Sequence, residues 1–167
     1  RFPFWVYGSQ QDNSSVAIPS GVAGQGIDFT DWHSVGGGES GWIAPKGDDP
    51  DVVFAGEYGG QITRFDYRTR ETREIMAWPQ LASGRATRDL KYRFQWNAPI
   101  LISLHDPNTL YHASQVLLRS RDGGETWEEI SPDLTRNDKD KQGKSGGPIT
   151  LDVTGVEVYD TIFALAE

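Results

Sequence analysis

Glu39 and Asp12 are the two acids of this chain best placed for acid–base work. Glu39 lies in Gly36-Gly37-Gly38-Glu39-Ser40-Gly41, where the glycines let backbone approach a ligand and hold the acid at a loop tip. Asp12 follows Gln10 and Gln11, whose amides suit the hydroxyls of a sugar. Together the two carboxyl groups would serve as the acid and the base or nucleophile that flank a glycosidic bond during hydrolysis. Asp89, next to Arg88, and Glu157 are secondary choices. The plain alternative for each of these acids is a turn carboxylate that accepts backbone N–H bonds or faces solvent.

Sugar binding also uses aromatic rings beside polar groups, because a pyranose face stacks on a ring while its hydroxyls need amides or acids. Tyr92-Arg93-Phe94-Gln95-Trp96-Asn97 and Asp31-Trp32-His33 have that composition, and Arg93 and Trp96 join Gln10 and Gln11 as candidate substrate contacts. A core also needs Trp and Phe, so packing is the competing role. A sialidase would instead need an arginine cluster and a tyrosine nucleophile. Arg64, Arg88 and Arg93 are present with Tyr58 and Tyr92, but their spacing does not show convergence.

Other motifs fail. Gly143-Lys144-Ser145 copies the end of a phosphate-binding loop, yet Asp138 stands where its first glycine belongs. Asp138-Lys139-Asp140 begins like a calcium loop, whose twelfth place is here Ile149 and not Glu. His33, His105 and His112 lack metal-ligand spacing, so neither a metal site nor a cofactor is expected. No elbow motif supports a Ser-His-Asp triad. Asn13-Ser14-Ser15 has the form of a glycosylation sequon.

The elements that must carry these residues are strands. Ser120-Arg121-Asp122-Gly123-Gly124-Glu125-Thr126-Trp127 fills every fixed place of S-x-D-x-G-x-T-W and so resembles the Asp-box of bacterial-neuraminidase-type repeats, with Ser120, Asp122, Gly124, Thr126 and Trp127 as its structural residues. In such a turn Asp122 accepts backbone N–H bonds, the glycines supply positive φ, and Trp127 offers an apolar face to the next layer. A repeat accompanies it. Ile43–Gly56 and Ile102–Ser114 each run a strand into an Asp-Pro turn, at positions 49 and 106, and leave by a second strand. Gln61–Asp66 answers Gln115–Ser120, and Glu74-Ile75 answers Glu129-Ile130. Asp66–Thr72 is a degenerate box without glycines, and Phe4–Gln10 matches the second strand of an earlier unit. Arg85–Tyr92 could hold one helical turn, but no segment shows a sustained helical apolar period.

The expected architecture is therefore all-β: about two and a half four-stranded blades of a partial β-propeller, drawn from a ring of roughly seven or more. Residues 1–34 are the end of one blade plus a loop, 35–97 the second blade with the Gly-rich loop, 98–160 the third blade with the box at 120–127, and 161–167 the first strand of the next. Both ends look cut from a longer protein. A slice of this kind would expose edges and apolar faces and be stable only with the remaining blades or a partner.

Composition agrees. The chain has 167 residues, with 19 Gly, 9 Pro, 6 Trp and 6 Tyr, which suits short strands joined by many turns. A net charge of -8 disfavours nucleic acid and anionic membranes as partners. The absence of cysteine excludes a disulfide framework and thiolate chemistry. No apolar run nears the roughly 18 residues of a membrane span, so no membrane insertion is expected.

Tyr7–Asn13, Asp31–Glu39, Tyr58–Arg64, Leu90–Trp96 and Ser131–Thr135 together resemble the large bacterial BNR/Asp-box proteins described as glycosyl hydrolase-like or sortilin N-terminal-like (VPS10-like) propellers. The resemblance covers essentially the whole chain. It implies a multi-bladed, exported protein, extracellular or periplasmic, that binds a glycan or peptide ligand on its loop face or in its central channel. It implies either a glycoside hydrolase or a sortilin-like binding propeller without catalytic activity.

Overall fold

The computed structural model describes residues 2–24, 26–39, 41–150 and 152–167. It is all-β, with three antiparallel sheets that follow one another along the chain. Sheet 1 holds β1 (Trp5–Ser9), β2 (Ser15–Pro19) and β3 (His33–Ser34), in that order. Sheet 2 is the meander β4 (Ile43–Pro45), β5 (Val52–Gly56), β6 (Ile62–Asp66) and β7 (Glu71–Glu74). Sheet 3 repeats the meander with β8 (Ile100–Ile102), β9 (Leu110–Ala113), β10 (Leu117–Ser120) and β11 (Glu128–Glu129). Each sheet is open.

The repeated sequence forms repeated turns. In sheet 2 the Lys46 N–H donates to Val52 O at 2.9 Å and the Val52 N–H to Asp49 O at 3.0 Å. In sheet 3 the Ser103 N–H donates to Thr109 O and the Thr109 N–H to Asp106 O, both at 2.9 Å. Asp106 also accepts from the Asn108 N–H at 3.0 Å and the Thr109 hydroxyl at 2.7 Å, so each Asp-Pro corner is closed by its own acid. Thr87–Asp89 forms the one helical turn anticipated near 85–92. Residues 161–167 form no strand. The Ile162 N–H reaches Ser114 O at 2.9 Å, and the segment then runs along sheet 3 to Glu167, whose carboxylate accepts from the Ser103 hydroxyl and the Leu104 N–H. Without a neighbouring strand to complete a ladder, it remains irregular.

β5 explains how the sheets stack. All five of its residues are buried, a pattern that fits a strand covered on both faces. Val53 joins Phe65, Ala17 and Val35 in the core facing sheet 1, against Trp5 and Tyr7. Val52 and Phe54 join Ile62, Ile100 and Leu110 in the core facing sheet 3. β7, at the outer edge, is exposed throughout and carries Glu71, Arg73 and Glu74.

The turn at residues 120–127, which resembles an Asp-box in sequence, lies between β10 and β11. The Ser120 hydroxyl donates to Asp122 at 2.8 Å and accepts from the Gly124 N–H at 2.8 Å. Asp122 accepts from the Thr126 N–H at 2.9 Å and the Thr126 hydroxyl at 2.6 Å, and these bonds hold its carboxyl down at about 2. The Trp127 indole donates to Ile75 O of the preceding repeat at 2.8 Å, and its ring packs against both adjoining cores. Gly124 has φ 97° and lies tight against Ile75, so any side chain there would be strained and would clash. The box therefore fastens sheet 3 to sheet 2. Trp127→Ala is expected to destabilise the fold by about 3 kcal/mol through lost packing and an unpartnered Ile75 carbonyl, read as a lower midpoint in denaturant titration.

His112 on β9 is fully buried, stacked on Phe94 with ring centroids 4.8 Å apart, and its Nδ1 lies 3.1 Å from Pro99 O. Burial pushes its pKa down to about 4, so the folded protein holds it neutral. The unfolded chain binds this proton below its ordinary value of about 6.5, whereas the fold resists it. Stability is therefore full above that value and falls as pH drops toward 4. Thermal melts across this window should show a smaller loss in His112→Phe than in the unsubstituted chain.

Candidate functional site

The glycine loop before β4 sits at the end of sheets 1 and 2 where β5 finishes. Its position is set by backbone pairing: the Gly38 N–H donates to Gly56 O at 3.3 Å, the Gly37 N–H to the Thr63 hydroxyl at 2.7 Å, and the Ser15 hydroxyl donates to Gly38 O at 2.8 Å. Gly37 has φ 63°, and Gly38 leaves room for the Glu57 carboxyl, which occupies the space a side chain would take. The loop then delivers Glu39, whose carboxylate accepts a hydrogen bond from the Asp12 N–H at the tip of the β1–β2 hairpin. Asp12 adopts φ 59° there, a conformation that Asp tolerates better than most residues.

Glu39 and Asp12 are thus brought together, through the Asp12 backbone. The carboxyl that feels the Glu39 charge is Glu57, which follows the end of β5 and carries no sequence motif. Its pKa is raised above the ordinary carboxylate value, first by burial and then by the charges of Glu39 and Glu74. Burial and the neighbouring charges therefore favour the protonated form of Glu57. Glu57 gave no motif because it ends a buried strand and reads as an ordinary turn acid.

Past the glycine loop, at Gly41, lies an open groove of about 670 Å³, bordered also by Tyr7, Ser9, Trp42, Gln95, Asn97 and Phe163; neither Glu39 nor Glu57 lines it. Trp42 shows 43% of its surface, with its indole N–H donated to Asn97 O at 3.0 Å. Gln95 donates to the same oxygen at 2.7 Å. The Ser9 hydroxyl donates to Gly41 O at 3.0 Å and ties this wall to the glycine loop. Ring faces next to amides make a surface suited to sugar or peptide.

The other expected contacts are placed differently. Gln10 and Gln11 are exposed on the hairpin beside Asp12. Trp96 is half-buried, edge-on to Tyr58 at 6.4 Å, so its neighbours Gln95 and Asn97 line the groove instead. Arg93 is interior: its guanidinium reaches Asp133 at 2.7 Å, Thr135 at 3.1 Å and Asp160 O at 3.1 Å. Arg64 lies 3.7 Å from Asp66, so these two arginines of the sialidase reading serve separate ion pairs. Asp138 pairs with Lys141 at 3.2 Å and Arg136 at 3.3 Å. Among the described residues no three histidine or acidic side chains gather as a metal site, and no helix is long and apolar enough to cross a membrane.

No protein-family model matches the chain, and no curated protein matches it.

Glu57→Gln should raise the melting temperature at pH 7, because it removes a carboxylate that the fold disfavours in its charged form. The folded protein binds this proton more readily than the unfolded chain, so the gain must vanish at pH values where both states are protonated. A melting temperature that does not rise at pH 7 would show that Glu57 is not held in an unfavourable charged state.

Proposed function

We propose that this chain is part of an exported, glycan-directed β-propeller that resembles the BNR/Asp-box glycosyl hydrolases. The observation that carries the reading is the pair Glu39 and Glu57 at the glycine loop, whose Gly41 borders the Trp42 groove. The arrangement of the sheets supports the architecture: β1 lies against β4, and β4 and β5 lie against β8, as successive blades would. Sheet 1 matches the last three strands of the blade pattern, with β1 in the place of β5 and β9.

In this reading Glu57 donates its proton to the glycosidic oxygen as the C–O bond breaks. Glu39 takes a proton from the water whose oxygen bonds to the anomeric carbon. The Asp12 N–H orients the Glu39 carboxylate. Trp42 stacks on the sugar ring, and Gln95 and Asn97 face its hydroxyls.

The test is release of reducing ends from a glycan panel by the intact protein. Glu39→Gln and Glu57→Gln should each lower kcat by about a hundredfold or more, and Trp42→Ala should chiefly raise KM. Retained turnover in either Gln variant removes that acid from the assignment. A protein that holds peptides in the groove and cleaves no glycan would instead be a sortilin-like binding propeller.

A further inference from the structure

At the opposite end of sheets 1 and 2 from Glu39, where β5 begins, lies a second cavity of about 390 Å³. Its walls are unusual in chemistry. Trp5 and Tyr7 come from β1, His33 from β3, Phe65 from β6 and Tyr67 from the turn that follows. His33 ties the rings together, 5.3 Å from Trp5, 5.9 Å from Phe65 and 4.6 Å from Tyr67 between centroids. Among the described residues the only charged side chain lining the space is Asp51, from the β4–β5 turn, whose carboxylate remains 37% exposed. Among the described residues neither lysine nor arginine lines it.

We propose that this cavity binds a small organic cation, of the quaternary or alkyl-ammonium class, between the aromatic rings and the Asp51 carboxylate. Ring faces carry negative electrostatic potential, and a weakly hydrated ammonium gains more from them than a neutral group of equal size. A single carboxylate at the rim supplies the balancing charge without filling the space. Burial, then the Arg70 charge, lowers the His33 pKa, so His33 is neutral at pH 7 and does not compete as a cation. The cation preference is already visible at the rim. The Arg70 guanidinium lies over the Tyr67 ring, 3.8 Å from its centroid, and Arg68 reaches Asp51 at 4.0 Å while bonding Asp49 and Asp66 at 2.9 Å. Arg70 is held there by a left-handed turn, φ 62°, with its N–H donated to Asp66 O at 2.8 Å. It covers one ring and leaves Trp5, Phe65 and His33 to the ligand.

The site shares only Tyr7 with the Trp42 groove and uses neither Glu39 nor Glu57, so it stands or falls without the hydrolase reading. Isothermal titration of the purified chain with choline and with tetramethylammonium should give saturable binding, with Kd in the millimolar range or tighter. The uncharged carbon isostere of choline, with a tert-butyl group in place of the trimethylammonium, should bind at least about tenfold more weakly. Asp51→Asn keeps the backbone bonds of the turn and should weaken choline about tenfold. Arg70→Asn, which tolerates positive φ, should strengthen it about threefold by freeing the Tyr67 ring and removing a like charge. Equal binding of choline and its neutral isostere overturns the proposal, as does absence of binding at tens of millimolar. An Arg70→Asn protein that melts cooperatively yet gains no affinity overturns it as well.

Discussion

Burial of β5 on both faces is the constraint on which the rest of this structure depends. Side chains alternate along a strand, so Val52 and Phe54 must face one neighbour and Val53 the other. Sheet 2 becomes the middle layer, and sheets 1 and 3 are held by the two cores it creates. Everything with chemical interest then sits at one end or the other of this strand. Glu57 emerges where β5 ends, and Asp51 precedes its start.

The two ends are built by different means. At the Glu57 end, close approach of backbone does the work: Gly38 and Gly41 pass so near Gly56 and Glu57 that a side chain at either would collide. Two carboxyl groups are thereby forced into one neighbourhood, and burial with mutual repulsion lifts the pKa of Glu57. At the Asp51 end, large rings from three strands and a turn fail to fill the space between the sheets, and the unfilled volume is lined mainly by aromatic side chains.

Ionic contacts follow the same division between interior and rim. Arg93 is buried and satisfied by Asp133, Thr135 and Asp160, which ties residues 131–135 and 160 to the loop before β8. Removing one partner of such a pair strands the other, so its role is to fix geometry and not to meet a ligand. Surface pairs such as Arg119 with Glu128, at 2.7 Å, lie across neighbouring strands and contribute little. The Asp-box lies between these extremes: its bonds are local, and its Trp127 reaches across to Ile75.

Sequence by itself determined the all-β class, the repeat of Asp-Pro corners and the Asp-box turn, because each rests on local rules. Alternation, turn residues and Asx bonding act within a few positions, and the structure returns the same bonds at Asp106 and Asp122. It also brought Glu39 and Asp12 forward, and the contact between them is from the Asp12 backbone N–H to the Glu39 carboxylate. Tertiary structure alone decided that Glu57 is the acid beside Glu39, that Arg93 faces inward, and that Trp42 rather than Trp96 borders the groove. Those outcomes depend on which strand ends lie side by side and on how deeply each side chain is buried. Trp42 and Trp96 carry the same side chain, and both lie close to the ends of strands that run beside each other, β4 and β8. Only the packing of the sheets determines which of the two rings meets solvent.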